Sequence, residues 1–391
     1  MHAIPSKTAF WVYSSKAAEL PGVPIEVPSR KTNHVPTGLH WASKMVASTP
    51  GFWKALGNLE SSTLRKELDG QEISKPVFVS GLARAGSTIL TEVISQHPQM
   101  ASHHYSDFPM TWTPYWWNRL RSHLPLPKQA PQERAHRDRL MITSDSPEAI
   151  EEVLWMHFFP AAHKPDHSHV MVEQEDHPRF EKFYRDHIQK LLIVKNRRRY
   201  VAKNNYHVTR LEYLLKLFPD ARFVIPVRDP VQHVASLIKQ HRLFSRKNEE
   251  DSRVSRQLQL SGHFEFGPLR RPVIVDGSRP ALYGQDLDDV AWYANQWADV
   301  YGFLEKRLRD NPALAKACLV VRYEEMCAET RGNLERLFVH LDLDDEWADK
   351  IVDAHTPTMS APDYYESGFT QTEQELIRKI TCDAEGICAS G

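Results

Sequence analysis

The stretch from Lys75 to Pro98, KPVFVSGLARAGSTILTEVISQHP, constrains this chain more than any other. Val77, Phe78 and Val79 form a short apolar run with β-branched residues, which predicts a buried strand. Gly81 and Gly86 bracket a turn, and Ser87 to Gln96 sets Ile89, Leu90, Val93 and Ile94 at helical spacing. A strand, a glycine loop and a helix in that order make a cradle for an anion. The backbone N–H groups of such a loop and of the first helical turn converge on one spot, where the helix dipole also favours negative charge.

The Gly81-x4-Gly86 spacing is that of a nucleotide-triphosphate loop, but that motif continues with Lys and Ser or Thr, and here the next residues are Ser87 and Thr88. The lysine that would reach the β- and γ-phosphates is missing. A cation stands inside the loop instead, at Arg84, where a planar guanidinium forks onto two oxygens. This difference points away from ATP with magnesium.

Gly81-Leu82-Ala83-Arg84-Ala85-Gly86-Ser87-Thr88 followed by His97-Pro98 resembles the 5′-phosphosulfate loop of the sulfotransferases, in particular the bacterial and tyrosylprotein branch with its GxPRSGTT…HP pattern. The resemblance implies 3′-phosphoadenosine 5′-phosphosulfate (PAPS) as the donor, with Ala85, Gly86, Ser87 and Thr88 around its 5′-phosphate and no metal required. Ala83 replaces the usual Pro and Ala85 the usual Ser; charge and glycine are kept.

With 391 residues, 41% hydrophobic and 25% charged, the chain is long enough for one large core with elaborations. Its net charge of −1 supplies no global field to gather nucleic acid, so an anion site must be local. No apolar run approaches the ~18 residues of a membrane span, and the start lacks the charged-then-apolar order of a signal peptide. Cys318, Cys327, Cys382 and Cys388 form no CxxC pair, which suits reduced thiols. The expectation is a cytoplasmic protein that does not span a membrane.

Residues 1–40 read as an extended arm rich in Pro and Ser, and 1–70 as that arm plus a helical extension. Residues 71–391 read as the main domain. Its expected fold is α/β: a P-loop-like, doubly wound parallel sheet flanked by helices, with the N-terminal arm and a lid-like or acceptor-specific insertion at 245–285. A helix is expected over Ser146 to Phe159, opened by Ser146 and Pro147 as N-cap and first helical residue. Further helices are expected over Phe180 to Lys195, Val208 to Phe218 and Asp286 to Arg309. Strands are expected at Tyr200 to Lys203, Arg222 to Val227 and Leu319 to Val321, with Pro226 marking a strand end or irregular edge. The Arg197-Arg198-Arg199 run reads as a solvated helix end, and His163, His167 and His169 as a surface loop rather than a metal site.

Arg228-Asp229-Pro230 ends the strand at Arg222 to Val227, with Ser236 on the following helix and Lys239 and Arg242 beyond it. A P-loop NTPase wants an acid at such a strand end. The arrangement resembles the sulfotransferase 3′-phosphate site, in which Arg228 and Ser236 match the family's Arg and Ser. Lys203 resembles the lysine that precedes the helix-FPDA-strand run, here Phe218-Pro219-Asp220-Ala221, and Tyr323 the tyrosine of the YE pair near adenine. The bland alternatives are an ion-paired Arg228, a solvent-facing Lys203 and a packed Tyr323. The resemblance extends over about Pro76 to Leu341.

Sulfuryl transfer to a hydroxyl needs a base on the acceptor and cations on the developing charge. The resembling branch uses a Glu shortly after the HP pair, yet no Glu occurs between Pro98 and Glu133. Asp107 is the first candidate by position and chemistry, His104 the second and His103 the third; a turn cap and surface histidines are the alternative. Arg84 and Lys203 are expected to stabilise the transferring group. The aromatic run Trp112, Tyr115, Trp116, Trp117 reads first as packing and second as an acceptor wall. The sequence as a whole therefore predicts a PAPS-dependent sulfotransferase acting on a small-molecule, lipid or glycan acceptor bearing a hydroxyl or amine. The alternatives are a P-loop small-molecule kinase and a catalytically silent nucleotide-binding protein.

Overall fold

The computed structural model describes residues 35–124, 130–138, 140–275, 289–359 and 367–389. Residues 1–34 of the expected arm and 276–285 of the expected insertion lie outside these. Among the described residues there are seven strands: β1 (Val77–Val79), β2 (Met100–Ala101), β3 (Gln132–Glu133), β4 (Met141–Ile142), β5 (Arg199–Lys203), β6 (Arg222–Val227) and β7 (Cys318–Arg322). Five make a parallel sheet in the order β2-β5-β1-β6-β7, while β3 and β4 pair as an antiparallel hairpin.

Alternation along the strands sends side chains to two different cores. Phe78, Tyr200, Ala202, Phe223 and Ile225 join one cluster with the helices Pro178–Lys195, Leu211–Leu217 and Val290–Asp310. Val77, Val79, Val201 and Val224 join the other with the helices Ser87–Ser95, Thr330–His340 and Glu346–His355. A parallel sheet covered on both faces reads as continuous apolar runs, as β1 and β6 do.

Register fixes what meets at the carboxyl edge. Val79 lies opposite Lys203 on one side and Val224 on the other, and Val227 lies opposite Arg322. The loop after β1, the end of β5, Arg228 and Tyr323 therefore all emerge along one edge, at the place where chain order reverses about β1. Pro226 is the last residue but one of β6, at the strand end rather than on an edge strand. It is tolerated because β1 has already left the ladder at Val79. The Pro226 carbonyl accepts from the Tyr301 hydroxyl at 3.0 Å instead of from a neighbouring strand.

Three sequence expectations are corrected. The helix expected from Ser146 begins at Glu152 and ends at Phe158. Ser146 and Glu148 are drawn into extended contacts with the chain after β2: Tyr105 N donates to Ser146 O, and Glu148 N to His103 O. Arg199 is not solvated; it opens β5, buried, and donates to the carbonyls of Lys75 and Leu341. The chain at residues 37–40 is helical, the start of Thr37–Ser48, rather than extended.

Buried charge ties the layers together. The Glu152 carboxylate accepts from Arg210 Nη1 and Nη2 at 2.8 and 2.7 Å and from Asn204 Nδ2 at 2.6 Å, and pairs with His163. His169 pairs with Glu175 and His167 with Asp166, so each histidine of that run faces a different acid. Removing one partner of a buried pair strands the other, at a cost of about 3–5 kcal/mol. Glu152→Ala is accordingly expected to lower unfolding free energy by about that amount in urea titration, through the stranded Arg210. A loss below about 1 kcal/mol would show that the pair does not anchor this layer.

Candidate active site

The loop between β1 and the Ser87–Ser95 helix is shaped by two close approaches. A Cβ on Gly81 would lie 2.9 Å from the Pro226 carbonyl oxygen, so only glycine lets the loop cross β6. Gly86 has φ +105°, and a Cβ there would meet the Tyr323 ring at 3.0 Å. Arg84 also has positive φ, +76°, which turns its side chain across the loop. The Ala85 amide is spent inside the turn on Leu82 O, at 3.3 Å. Those of Ser87 and Thr88 open the helix, where amides have no intrahelical acceptor.

Arg84 and the segment after β6 come together. Arg84 Nε donates to Ser236 Oγ at 3.3 Å, and Arg228 Nη1 reaches Arg84 O at 3.5 Å. The Arg228 guanidinium lies over the Tyr323 ring, 5.0 Å from its centroid. Asp229 caps the Pro230–Glu250 helix through Gln232 N at 3.0 Å, which explains why Asp and Pro follow this arginine. His233, held neutral with its pKa pushed down to about 3 by burial, faces the Ala83 carbonyl through Nε2 at 2.8 Å.

Two adjoining cavities share this floor. The first, about 110 Å³, is lined by Arg84, Gly86, Ser87 and Thr88 and by Arg228 and Tyr323. Among the described residues, the basic groups of Arg84, Arg134, Arg137, Arg228 and Lys239 line it against a single carboxylate, Asp138. The second, about 310 Å³, shares Arg84, Ser87, Thr88 and Arg134 and adds Lys203. Its far walls are apolar, with Leu39, Phe108, Phe244 and Phe266, and its acids are Glu148 and Glu265.

Glu148 is the acid beside Lys203. Burial raises its pKa, but Lys203, His263, the Tyr105 hydroxyl and the Ala149 amide outweigh burial and keep it below the ordinary carboxylate value. Tyr105, with its own pKa raised by burial and by Glu148, stays protonated and donates. Burial lowers the Lys203 pKa, partly offset by Glu148 and Glu265.

The model of the sulfotransferase family matches residues 76–263. Those residues are similar to the sulfotransferase family. The match takes in the glycine loop, Lys203, Arg228 and Ser236. Among solved structures, sulfotransferase STF1 of Mycobacterium tuberculosis H37Rv is similar at 15% identity over 83% of this chain and 81% of its own, with a TM-score of 0.49. STF9 of Mycobacterium avium is similar at 16% identity over 83% and 80%, with a TM-score of 0.48. No curated protein matches the chain.

The structure brings Arg84, Gly86, Ser87, Thr88 and Arg228 of the matched residues, and Tyr323 from beyond them, around one cavity, with Ala85 and Ser236 buried behind it. Lys203 sits in the adjoining one. Asp107 and His104 line neither. Asp107 is fully buried and accepts from His104 N and Asn118 Nδ2 at 3.0 Å each, while facing His103 Nδ1 at 3.2 Å. Its own burial raises its pKa, but those bonds and the charges of His103 and Lys195 hold it well below the usual range. His103 is itself buried against His187. His104 is kept neutral, its pKa lowered to about 4 by burial and by Lys195. Trp112 packs on Phe183 and His157, Trp117 Nε1 donates to Ser106 O at 2.7 Å, and none of Trp112, Tyr115, Trp116 and Trp117 lines either cavity.

Glu148, Arg134 and Asp138 are the site residues that sequence reasoning passed over. Glu148 was hidden by the Ser-Pro-Glu helix-start pattern. Arg134 and Asp138 lie in a charged stretch with no motif; the pairing of β3 with β4 is what carries them to the loop.

Asp107→Asn is expected to cost about 1.5–3 kcal/mol of stability at pH 7, as for loss of charged hydrogen bonds. The depressed folded pKa means this stabilisation is present above the unfolded carboxylate pKa of about 3.9 and is lost as pH falls towards the folded value. The melting difference between variant and parent should therefore narrow on acidification below about pH 4. A folded Asp107→Asn with a kcat reduced on the order of 10²-fold or more would make Asp107 the base after all.

Proposed function

We propose that this protein is a sulfotransferase that moves a sulfuryl group from PAPS to a hydroxyl or amine acceptor by in-line displacement. The observation that carries the reading is the meeting of two anion-binding segments on one cavity: the glycine loop with Arg84, and Arg228 with Ser236 and Tyr323. A nucleotide with phosphates at both the 5′ and 3′ positions needs two such groups at fixed separation, whereas an ordinary nucleotide needs one. The basic excess lining the cavity suits a multiply charged ligand.

In this reading the Ser87 and Thr88 amides and hydroxyls hold the 5′-phosphate, Arg228 and Ser236 the 3′-phosphate, and Tyr323 flanks the nucleoside. The acceptor occupies the larger cavity. Glu148, kept ionised, takes the acceptor proton in place of Asp107 or His104. The acceptor oxygen then bonds to sulfur while the bond from sulfur to the bridging oxygen breaks, leaving the electron pair on the 5′-phosphate of adenosine 3′,5′-bisphosphate. Lys203 and Arg84 stabilise charge on the bridging and sulfuryl oxygens as it develops. The mechanism draws on no metal.

The acceptor cavity combines ring-lined walls with one reactive end, which fits a small or lipid-like alcohol or phenol better than a glycan. We assign its cover to the helix Thr37–Ser48 together with residues 257–266. Gln257 bridges the two, donating to Ser43 Oγ at 2.9 Å and facing His40 Nδ1 at 3.1 Å.

Glu148→Gln should lower kcat by about 10²–10⁴-fold in a sulfate-transfer assay while leaving bisphosphate binding unchanged. Arg228→Ala should instead weaken the bisphosphate by roughly tenfold to a hundredfold, as for a lost charged hydrogen bond. Near-parental turnover in Glu148→Gln would remove Glu148 from the mechanism. Equal affinity of Arg228→Ala for the bisphosphate would remove the 3′-phosphate assignment.

A further inference from the structure

The hairpin of β3 and β4 reaches the loop from a part of the sequence that carries no anion-binding motif, and it brings both a cation and an acid. Arg134 follows β3 directly and is fixed there by its amide on Leu140 O at 3.0 Å. It is buried and lines both cavities, and its Nη1 donates to Thr88 Oγ1 at 3.1 Å. The hairpin turn is held from outside by the Pro230–Glu250 helix. His136 Nδ1 and the Gln240 side-chain oxygen lie 2.9 Å apart, Gln240 Nε2 donates to His136 O at 2.9 Å, and Lys247 Nζ donates to Ala135 O. Arg134 is thus a rigidly mounted guanidinium at the boundary between the two cavities, where a transferred group must pass.

Asp138, at the turn, lies across both guanidinium groups. Its Oδ2 accepts from Arg84 Nη1 at 2.6 Å, and its carboxylate is bracketed by Arg134 Nε at 2.9 Å and Arg134 Nη2. A carboxylate forked on arginine presents the same oxygen geometry as a phosphate or sulfate oxygen pair. Arg84 and Arg134 therefore already share one anionic oxygen, as they would share a non-bridging oxygen of a phosphosulfate.

We propose, resting on the PAPS reading above, that Arg134 is a binding residue for the 5′ anionic end of the donor, and that Asp138 is an internal stand-in which the donor displaces from Arg84 and Arg134. The stand-in satisfies two close arginines when no donor is bound, and lowers apparent donor affinity because its own bonds must be broken first. Burial opposes ionisation of Asp138, but Arg134 and Arg84 outweigh it, so the competitor is charged throughout the neutral range. The effect is expected chiefly at the 5′ end, since the bonds of Asp138 run to Arg84 and Arg134, although Arg84 also donates to Ser236 Oγ.

The test is calorimetric titration with adenosine 3′,5′-bisphosphate and, separately, adenosine 3′-monophosphate, which lacks the 5′ group. Asp138→Asn should tighten the bisphosphate about tenfold and leave the monophosphate unchanged. Arg134→Gln should weaken the bisphosphate about tenfold, with Arg134→Lys intermediate and the monophosphate serving as the check that each variant is folded. If the parent binds the bisphosphate but Asp138→Asn binds it equally or more weakly, the stand-in is refuted. Unchanged binding by Arg134→Gln would refute the role of Arg134. Failure of the parent to bind either nucleotide would instead overturn the PAPS reading, and this inference with it.

Discussion

The site depends on where one turn is pinned. Between β1 and the Ser87–Ser95 helix the chain doubles back within seven residues, and such a turn is useful only if its amides and Arg84 point to a fixed place. Three neighbours pin it. Ser80 Oγ donates to Asn204 O at 2.9 Å beyond β5, the Pro226 carbonyl leaves room for Gly81 alone, and His233 holds Ala83 O from the Pro230–Glu250 helix. Each partner also neighbours a side chain of the proposed site: Asn204 follows Lys203, and Pro226 and His233 flank Arg228. The same contacts that shape the loop therefore set the spacing between the two anion groups.

Sheet order turns this local fact into a chemical one. Because β1 is central, with β5 on one side and β6 on the other, the loop stands between Lys203 and Arg228. Donor chemistry and acceptor chemistry can then share a floor while keeping separate walls. The smaller cavity is cationic, and the larger has apolar walls with two carboxylates, Glu148 and Glu265, near the half-buried Lys203. Burial strengthens every charge on that floor by lowering the local dielectric, which is where transition-state stabilisation is most effective.

Features encoded within a few residues were legible in the sequence. The glycine loop, the Arg-Asp-Pro helix start and the apolar strands β1 and β6 are each determined by local spacing, and the family match to residues 76–263 covers the first two. The acceptor side was not legible, because it is assembled from distant pieces. Asp107 was the first candidate for the base by position and chemistry, with a turn cap as the alternative, and tertiary packing turns it inward onto His104 N and Asn118. Glu148 looked like the first turn of a helix, but pairing of its segment with the chain at His103 kept it extended and aimed at Lys203. Arg134 and Asp138 depend on a two-residue strand pairing that no periodicity announces.

The central claim is that the glycine loop and the Arg228 segment form one site for a nucleotide phosphorylated at both ends. A crystal structure of the protein with adenosine 3′,5′-bisphosphate tests it most directly. The account predicts the 5′-phosphate on the amides at Ser87 and Thr88, the 3′-phosphate on Arg228 and Ser236, and the nucleoside against Tyr323. A nucleotide with its 3′-phosphate turned away from Arg228, or bound outside the cavity beneath the loop, would contradict it.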